Sequence, residues 1–305
     1  MSRTVVVIAG ATATGKTTLG ESVARAIGGE IVCADARQLY RPLEIGTGKP
    51  TPAERSALPH HLFDRLELGE TSNAGEWSRD AAEVCEALFA RGVTPVLVGG
   101  SGLYLSALVR GLHDQPPRDP ALRARLDAEA AESGSPALHA HLASLDPDAA
   151  AALSPRDRQR IVRAIEIVQT GGRPVASWRE HRRAPALQAD WRLFELTCPA
   201  AVLDRRVEQR THEMFASGLI EETRALLERG EGEALRRLSA IGYDEAMALL
   251  AGKCTREEAE QRTSQRTRQL AKRQRTWFRH QFEATRLEGE PWDETRLVRS
   301  VLDLI

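Results

Sequence analysis

Apolar runs alternate with segments of helical periodicity along much of the chain. Four runs are wholly or largely apolar at consecutive positions, at residues 4–9, 31–34, 95–98 and 193–197. A strand that is apolar on both faces is typical of a parallel sheet covered by helices on both sides. Helical spacing of apolar residues separates the runs, most clearly at 74–90 and 201–229. We therefore predict an α/β fold, with a parallel sheet flanked by helices.

The pattern changes between residues 116 and 189. A proline cluster opens this segment, which is rich in Ala, Arg, Asp and Glu, contains turn signals and has no strand-like run. About three helices are expected here. The predicted organisation is therefore a catalytic core formed by residues 1–115 and 190–305, with an inserted all-helical subdomain at 116–189.

The clearest helix of this insertion is predicted to begin at Ser154, with Pro155 in its first turn, and to end at Gly171. Asp157 would complete a capping box with Ser154. An apolar stripe follows one face of this helix, and arginines recur on another face without an acidic residue in the same row.

The first apolar run leads directly into the spacing G-x-x-x-x-G-K-T at residues 10–17. Gly10 and Gly15 allow the tight turn that points consecutive N–H groups at phosphate oxygens, and the following helix directs its positive end at them. Lys16 supplies a point charge for the terminal phosphate, and the Thr17 hydroxyl suits a bound Mg²⁺. The strand before the loop and the helix after it predict a P-loop-type sheet. The loop alone does not identify the polyphosphate.

Two further polar segments, residues 35–40 and 99–104, follow predicted strands. Ligands of parallel α/β sheets bind beyond the carboxyl ends of the strands. We therefore expect both segments to converge with the phosphate loop on one cleft.

The charge balance excludes a globally basic nucleic-acid coat, since 42 Lys and Arg face 43 Asp and Glu for a net charge of -1. The four cysteines form no C-x-x-C pair and have no histidine at zinc-ligand spacing, so reduced thiols are expected. The first apolar run is too short for a signal peptide, and no stretch approaches the ~20 apolar residues of a membrane span. We expect a cytoplasmic protein with no membrane partner.

Basic residues are nevertheless concentrated locally. Arg156, Arg160 and Arg163 recur at i, i+4 and i+7 in the predicted insertion, and residues 261–282 hold seven Arg or Lys and no Asp or Glu. A charge run is usually a solvated helix face. Two such runs beside a phosphate loop, in an otherwise neutral protein, favour a large polyanion as partner.

Eight ordered segments that span nearly the whole chain carry a specific resemblance. They are GATATGKT (10–17), DARQLY (35–40), IGTGKP (45–50), PHHL (59–62), VGGSGLY (98–104), QRIVRAIE (159–166), IGYDE (241–245) and KRQRTWFR (272–279). This set resembles the bacterial tRNA dimethylallyltransferases, or tRNA isopentenyltransferases, which modify adenosine 37 beside the anticodon. Many enzymes share the phosphate loop alone, but not the ordered set.

The chain departs from the family pattern in three places. It has Ala36 where the family usually has Ser, and Ser101 where the family usually has Thr, and its residues 43–45 lack the usual Asp before Ile. Ser101 keeps the hydroxyl, so its expected role survives. Ala36 has no side-chain hydrogen-bonding group, which weakens any role at that position.

The resemblance implies transfer of a dimethylallyl group from dimethylallyl diphosphate to N6 of adenosine 37, which gives N6-dimethylallyladenosine. N6 is a poor nucleophile because its lone pair is delocalised into the ring, so a base must remove its proton, and Asp35 is the candidate. Lys16, the loop amides and Mg²⁺ on Thr17 would stabilise the departing diphosphate. Ser101 would orient the leaving oxygen or the base. Mg²⁺ is the expected cofactor.

The expected diphosphate-binding set is the phosphate loop with one helix arginine: Gly10, Ala11, Thr12, Ala13, Thr14, Gly15, Lys16, Thr17 and Arg210. A surface position for that arginine is equally compatible with the sequence. The expected tRNA-binding set lies around a flipped adenine and the anticodon stem-loop. It consists of Asp35, Ala36, Arg37, Gln38, Ser101, Arg123, Gln159, Arg160, Ile161, Val162, Arg163, Lys272 and Arg275. Gln38 would read the edge of the base, and Arg123 enters by resemblance alone.

Several conspicuous residues have simpler interpretations. Histidines 60 and 61 are expected to pack or to line a substrate channel, because no third ligand lies at metal spacing. Trp277 and Phe278 either stack on bases or anchor the core, and the spacing of Trp277 from an earlier leucine favours the core. Tyr40 and Tyr104 either line a prenyl pocket or close the core.

Two rival functions remain open from the residues. A small-molecule kinase would use the loop for ATP, with Asp35 as base and Arg210 as a lid arginine, but it leaves the basic segments unexplained. A non-catalytic, nucleotide-dependent RNA-binding module explains the basic segments but leaves Asp35 and Ser101 idle. The transferase accounts for both, and we expect it to act as a monomer.

Overall fold

The computed structural model describes residues 3–178, 180 and 182–305. Within this part of the chain, a six-stranded sheet has the order β3-β2-β4-β1-β5-β6, and every pairing is parallel. The strands are β1 (Thr4–Gly10), β2 (Glu30–Cys33), β3 (His60–His61), β4 (Pro95–Gly99), β5 (Asp190–Thr197) and β6 (Thr285–Glu288). The predicted α/β fold with a parallel sheet is confirmed.

Helices connect and cover the strands. They are α1 (Lys16–Ile27), α2 (Pro52–Ala57), α3 (Ala74–Ala90), α4 (Gly102–Arg110), α5 (Pro120–Leu145), α6 (Pro147–Ala151), α7 (Arg158–Gly171), α8 (Ala200–Ala216), α9 (Leu219–Glu228), α10 (Gly232–Leu238), α11 (Tyr243–Leu250), α12 (Arg256–Gln281) and α13 (Glu294–Leu302). Short 3₁₀ turns span Ile45–Thr47 and Val175–Trp178. Local capping sets several starts. Asn73, for example, accepts hydrogen bonds from the backbone of the first turn of α3.

The sheet is buried on both faces, which explains the uninterrupted apolar runs. On one face, Val6 and Ile8 of β1 pack in a cluster with residues of α1 and α13. Val5 and Val7 alternate with them and are also fully buried, on the face where α3 contacts β2 and β4. The central strand therefore has no polar face.

The chain divides into two compact units. One unit comprises Met1–Arg110 and Pro185–Ile305, and the other comprises Gly111–Ala184. The second unit is helical and has its own apolar core, formed by residues of α5, α6 and α7. The boundaries predicted from the sequence are 115/116 and 189/190.

Two predicted helices differ in their bounds. The helix expected from Ser154 begins instead at Arg158, because Asp157 is its N-cap and accepts from the backbone N–H of Arg160. The stretch predicted as one helix over 201–229 is two helices, since Gly218 adopts a left-handed φ of 106° between α8 and α9.

The strands β3 and β6 were missed. β3 has two residues, and β6 has four, of which Leu287 alone is buried. The four cysteines are free thiols, as predicted. Among the residues described, no helix is long and apolar enough to cross a bilayer.

Candidate active site

The phosphate loop connects β1 to α1 and is held by its own short-range contacts. The Thr14 hydroxyl donates to the carbonyl of Ala11 over 2.9 Å, and Nζ of Lys16 lies 3.2 Å from the same oxygen. α1 begins at Lys16. The predicted strand, loop and helix are therefore confirmed, and the N-terminus of α1 points its free N–H groups at the loop.

A carboxylate and two cations meet beside this loop. Burial lowers the pKa of Lys16 to about 8, and the nearby Asp35 carboxylate opposes the shift. Burial likewise lowers the pKa of Arg210, again with Asp35 opposing it. Gly48 leaves room for this arginine, because a Cβ at its φ of 59° would lie 2.0 Å from Nη2 of Arg210. Arg210 therefore faces the site, and the alternative of a surface helix arginine does not hold.

Asp35 lies just beyond the carboxyl end of β2. Its Oδ1 accepts from the backbone N–H of Arg37 over 2.9 Å. The Ser101 hydroxyl accepts from the backbone N–H of Ala36 over 2.9 Å. Ser101 therefore holds the loop that carries Asp35. Ala36 contributes its backbone N–H to this contact, so the contact does not need a polar side chain at position 36.

One cavity brings these loops together. Its lining residues are Thr12, Lys16, Thr17, Glu21, Ile31, Asp35, Gln38, Thr47, Pro50, His60, Phe63, Val98, Gly99 and Arg210. The expectation that the segments 10–17, 35–40 and 99–104 converge on one cleft is confirmed. Ser101 is two residues beyond Gly99 of the lining, and its hydroxyl accepts from the backbone N–H of Ala36, next to Asp35.

The cavity wall contains His60, which was expected to pack or to line a substrate channel, and a partner, Glu21, that was not predicted. Glu21 stands one turn after Thr17 on α1, and its Oε1 lies 3.7 Å from Nε2 of His60. His60 Nδ1 contacts the carbonyl of Leu58, and the interaction with His60 lowers the pKa of Glu21. The only sequence signal was the i, i+4 spacing of Glu21 from Thr17, which places both on one face of α1.

A second group of missed residues supports the phosphate loop from its outer side. Arg206 donates to the carbonyl of Thr14 over 3.1 Å and pairs with Glu290 at 3.1 Å. The ring of Trp292 lies against Gly15. These contacts join α8 and the segment before α13 to the loop, and nothing local in the sequence indicates them.

The donor set fits a magnesium ion that shares its coordination with a substrate. Thr17, the predicted ligand, lines the cavity beside the phosphate loop and offers a hydroxyl oxygen. Mg²⁺ commonly takes one or two protein ligands and completes its shell with phosphates and water. No cluster of three or more His, Cys, Asp or Glu side chains that could enclose a metal occurs in the described part of the chain.

Comparison with known proteins places a family beside this arrangement of phosphate loop, carboxylate and cations. Residues 38–281 match the sequence pattern of the family described as IPP transferase. The chain belongs to this family. Membership was predicted from the ordered motifs, and it is confirmed. A protein named tRNA dimethylallyltransferase, from an Anaeromyxobacter species, is 47% identical over 295 residues, which cover 97% of each chain.

Solved structures of IPP transferases and related enzymes share the fold. The full-length tRNA isopentenylpyrophosphate transferase of Bacillus halodurans superposes with a TM-score of 0.71 at 32% identity, covering 99% of this chain and 95% of that one. A eukaryotic dimethylallyltransferase acting on tRNA gives a TM-score of 0.78 at 26% identity, covering 94% of this chain and 74% of that one.

The helical unit uses several of its predicted tRNA contacts internally. The Glu166 carboxylate is fully buried and accepts from Arg123 over 2.7 Å and from Arg163 over 2.8 Å. Ile161 and Val162 are buried in the core of the unit. A side-chain contact from either residue to tRNA is therefore excluded, while a backbone contact at these positions stays a prediction.

The row of arginines predicted on this helix is shorter in the structure than expected. Arg156 precedes α7, and Arg163 is committed to Glu166. Gln159 and Arg160 are exposed, and the nearest carboxylate to Arg160 is Asp157 at 3.6 Å. The available basic surface of α7 is consequently smaller than the sequence indicated.

The C-terminal basic segment coincides with α12 and is partly neutralised by its neighbours. Arg266 pairs with Asp244 and Glu245, and Arg268 lies near Asp204 and Glu208. Lys272 is exposed. Arg262, Arg273 and Arg279 are exposed as well, and Arg275 is half-buried, so the helix still presents cations at both ends.

The remaining residues with two interpretations are resolved by their contacts. Gln38 lines the cavity, but its amide nitrogen already donates to the carbonyls of Thr47 and Gly48, so it has less freedom to read a base than predicted. Tyr40 is buried, and Tyr104 stacks on Trp77. Neither tyrosine lines the cavity, and both close the core.

The aromatic pair near the end of α12 also has a structural role. Phe278 is fully buried. The Trp277 ring packs on Gly102, at the start of α4, and against Phe278 and Phe282. The core interpretation of both residues agrees with these contacts. Arg37 is exposed, and its backbone N–H donates to the carboxylate of Asp35.

Proposed function

We propose that this chain transfers a dimethylallyl group from dimethylallyl diphosphate to N6 of adenosine 37 of tRNA, giving N6-dimethylallyladenosine. The observation that carries the proposal is the position of Asp35 in a cavity that also contains a phosphate loop and the cations of Lys16 and Arg210. Lys16 and Arg210 are both desolvated by burial, so each would gain from a polyanionic ligand bound at the loop.

The donor would bind through its diphosphate. Lys16 and the loop amides other than that of Thr12, which donates to Gln274, would contact the phosphates, and Arg210 approaches them from α8. As the bond between C1 and the bridging oxygen breaks, negative charge accumulates on the diphosphate, and both cations stabilise it where it forms. The Thr17 hydroxyl would hold Mg²⁺, which neutralises phosphate charge when bound.

The acceptor would meet Asp35 on the other side of C1. A bond forms between N6 and C1 while the C1–O bond breaks, and Asp35 accepts the N6 proton. Ser101 acts indirectly, since its hydroxyl holds the N–H of Ala36 and so fixes the loop that presents the carboxylate. Flipping the adenine out of a single-stranded loop costs about a few kcal/mol, which is modest for a tRNA-binding surface to supply.

The five carbons need an apolar surface beside the reacting centre. Ile31, Pro50, Phe63 and Val98 supply one in the same cavity. A kinase would instead need space for adenine and ribose next to the loop. This apolar wall supports a prenyl donor over a nucleotide.

Transfer of a five-carbon unit tests the proposal directly. Unmodified tRNA is incubated with the protein, dimethylallyl diphosphate and Mg²⁺, without ATP, and the nucleosides are analysed by mass spectrometry. The expected result is an adenosine carrying one added C5H8 unit, mapped to position 37 by nuclease fragments. Lys16→Ala is the matched control and should give no product.

The rival kinase has a distinct outcome. If ATP is consumed, an acceptor is phosphorylated and the tRNA gains no mass, the transferase proposal is wrong. Millimolar ATP is expected only to inhibit, because both ligands offer terminal phosphates to the same loop.

A further inference from the structure

Helix α12 has one face exposed to solvent and one face packed on the loops beside the active site. One face exposes cations such as Lys272, while the other packs on the loops of the active site. On the inner face, Gln274 and Trp277 contact loops that follow β1 and β4. The helix is therefore positioned between a surface suited to RNA and the catalytic loops.

The side-chain amide of Gln274 makes two hydrogen bonds across this contact. Its Oε1 accepts from the backbone N–H of Thr12 over 2.9 Å, and its Nε2 donates to the carbonyl of Gly100 over 3.0 Å. Only an amide side chain offers a donor and an acceptor at this length. The fit is close, because a Cβ at Gly100 would lie 2.4 Å from Nε2 of Gln274.

Both bonded atoms belong to loops that hold reacting groups. Thr12 is in the phosphate loop, four residues before Lys16. Gly100 directly precedes Ser101, whose hydroxyl accepts from the N–H of Ala36 beside Asp35. Gln274 thus fixes the spacing between the loop that carries the phosphate-binding lysine and the loop that supports the carboxylate.

We propose that Gln274 is a positioning residue that joins α12 to these two loops, so that RNA on α12 and diphosphate in the phosphate loop strengthen each other's binding. The proposal rests on the proposed function, in which α12 contacts tRNA. RNA bound to the exposed cations restricts α12, and Gln274 transmits this restriction to the N–H of Thr12. A phosphate loop that is already ordered loses less conformational entropy when it binds diphosphate.

Linkage makes the idea measurable, because two ligands that help each other do so by the same factor in both directions. The Kd of inorganic diphosphate with Mg²⁺ is measured by calorimetry, with and without an unmodified anticodon stem-loop RNA. We expect the RNA to tighten diphosphate binding about five-fold or more in the wild-type protein, within the usual range of coupling between sites.

Gln274→Met removes both hydrogen bonds at nearly constant volume. In this variant the ratio of the two Kd values should fall to about one, while the Kd for RNA alone changes less than about two-fold. Gln269→Met is the matched control, since Gln269 is exposed on the same helix. It should keep the wild-type ratio.

A second variant guards against a folding defect. Gln274→Glu keeps the acceptor for Thr12 but places a carboxylate oxygen against the carbonyl of Gly100, so it should raise the KM for dimethylallyl diphosphate more than the KM for tRNA. A ratio of one in the wild-type protein, or the full wild-type ratio in Gln274→Met, would overturn the proposal. If the wild-type protein prenylates tRNA but shows no coupling, the proposed function stands and the role of Gln274 does not.

Discussion

Replacing Glu166 with alanine tests whether two predicted tRNA contacts are instead structural. The Glu166 side chain has 0% exposure and accepts from Arg123 and Arg163, which are 27% and 25% exposed. Its Oε1 also accepts from the backbone N–H of Asp119 over 2.7 Å. Glu166→Ala leaves both guanidinium groups without this partner and opens a void in the core of the helical unit.

The expected loss of stability is large for a single substitution. Breaking a buried ion pair by removing one partner typically costs about 3–5 kcal/mol. Because a quarter of each arginine side chain is exposed, water recovers part of the loss, and we expect about 3 kcal/mol for Glu166→Ala. Glu166→Gln keeps one oxygen as the acceptor for Asp119, but it places an NH2 group, which can only donate, where both arginines now donate. Both arginine hydrogen bonds are then lost, so we expect a loss of about 3 kcal/mol for this variant as well.

Amide hydrogen exchange in α7 measures the effect where it arises. A loss of about 3 kcal/mol should accelerate exchange roughly 100-fold in Arg158–Gly171, since 1.4 kcal/mol corresponds to a factor of ten. Peptides from β1 in the sheet serve as the internal reference and should be unaffected. Unchanged exchange in α7 of Glu166→Ala would refute the structural role and return Arg123 and Arg163 to the RNA surface.

The pH dependence gives an independent check with a defined sign. Burial raises the pKa of Glu166, but hydrogen bonds from Arg123 and Arg163 outweigh burial, so the pKa is lower in the folded protein than in the unfolded chain. The stabilisation is therefore complete above the ordinary glutamate pKa and is lost as pH falls through the lowered one. Wild-type and Glu166→Ala stabilities should converge in acid, and a constant difference down to that range would contradict the assignment.

Three further predictions concern the reaction and RNA binding. Asp35→Asn should lower turnover by roughly 10²–10⁴ with tRNA affinity unchanged within a few-fold, and a nearly normal rate in single-turnover assays would place proton removal elsewhere. The KM for dimethylallyl diphosphate should rise as pH increases through about 8, because Lys16 loses its charge; a flat profile up to pH 9 would contradict this role. Arg160→Ala and Lys272→Ala should each reduce the salt-dependence slope of tRNA binding by about 0.7–0.9 without changing the donor KM, and unchanged slopes would leave both as solvated surface residues.

The sequence determined the parts of the site that are contiguous in the chain. The phosphate loop consists of eight consecutive residues, so the spacing of its glycines, lysine and threonine can be recognised directly in the sequence. The central strands were equally visible, because burial on both faces requires apolar residues at every position. Placing Asp35 at the end of such a strand was enough to bring it to the phosphate loop.

The short edge strands β3 and β6 could not be predicted from the sequence. Two or four residues carry no periodicity, and a strand at the edge of a sheet needs little apolar surface. Their place in the sheet is decided by pairing with β2 and β5, and not by their own composition. His60 of β3 lines the cavity, which is one of the two positions expected for it, but the strand that carries it was not predicted.

The exposed basic surface was the feature predicted least accurately from the sequence. Arg123 and Glu166 are 43 residues apart, and Arg163 appeared to belong to a free basic row until its carboxylate partner was located. A pattern of arginines predicts a basic surface only when no acid from another element packs against it, and that packing is a tertiary event.

The contacts that hold the phosphate loop were also beyond sequence reasoning. Thr12 and Gln274 are separated by 262 residues, and Thr14 and Arg206 by 192. A hydrogen bond between such positions leaves no periodic signal, because each partner satisfies its local secondary structure independently. The residue types that grip a polyphosphate were therefore readable from the chain, while the supports that keep them in place exist only once α8 and α12 have packed beside the sheet.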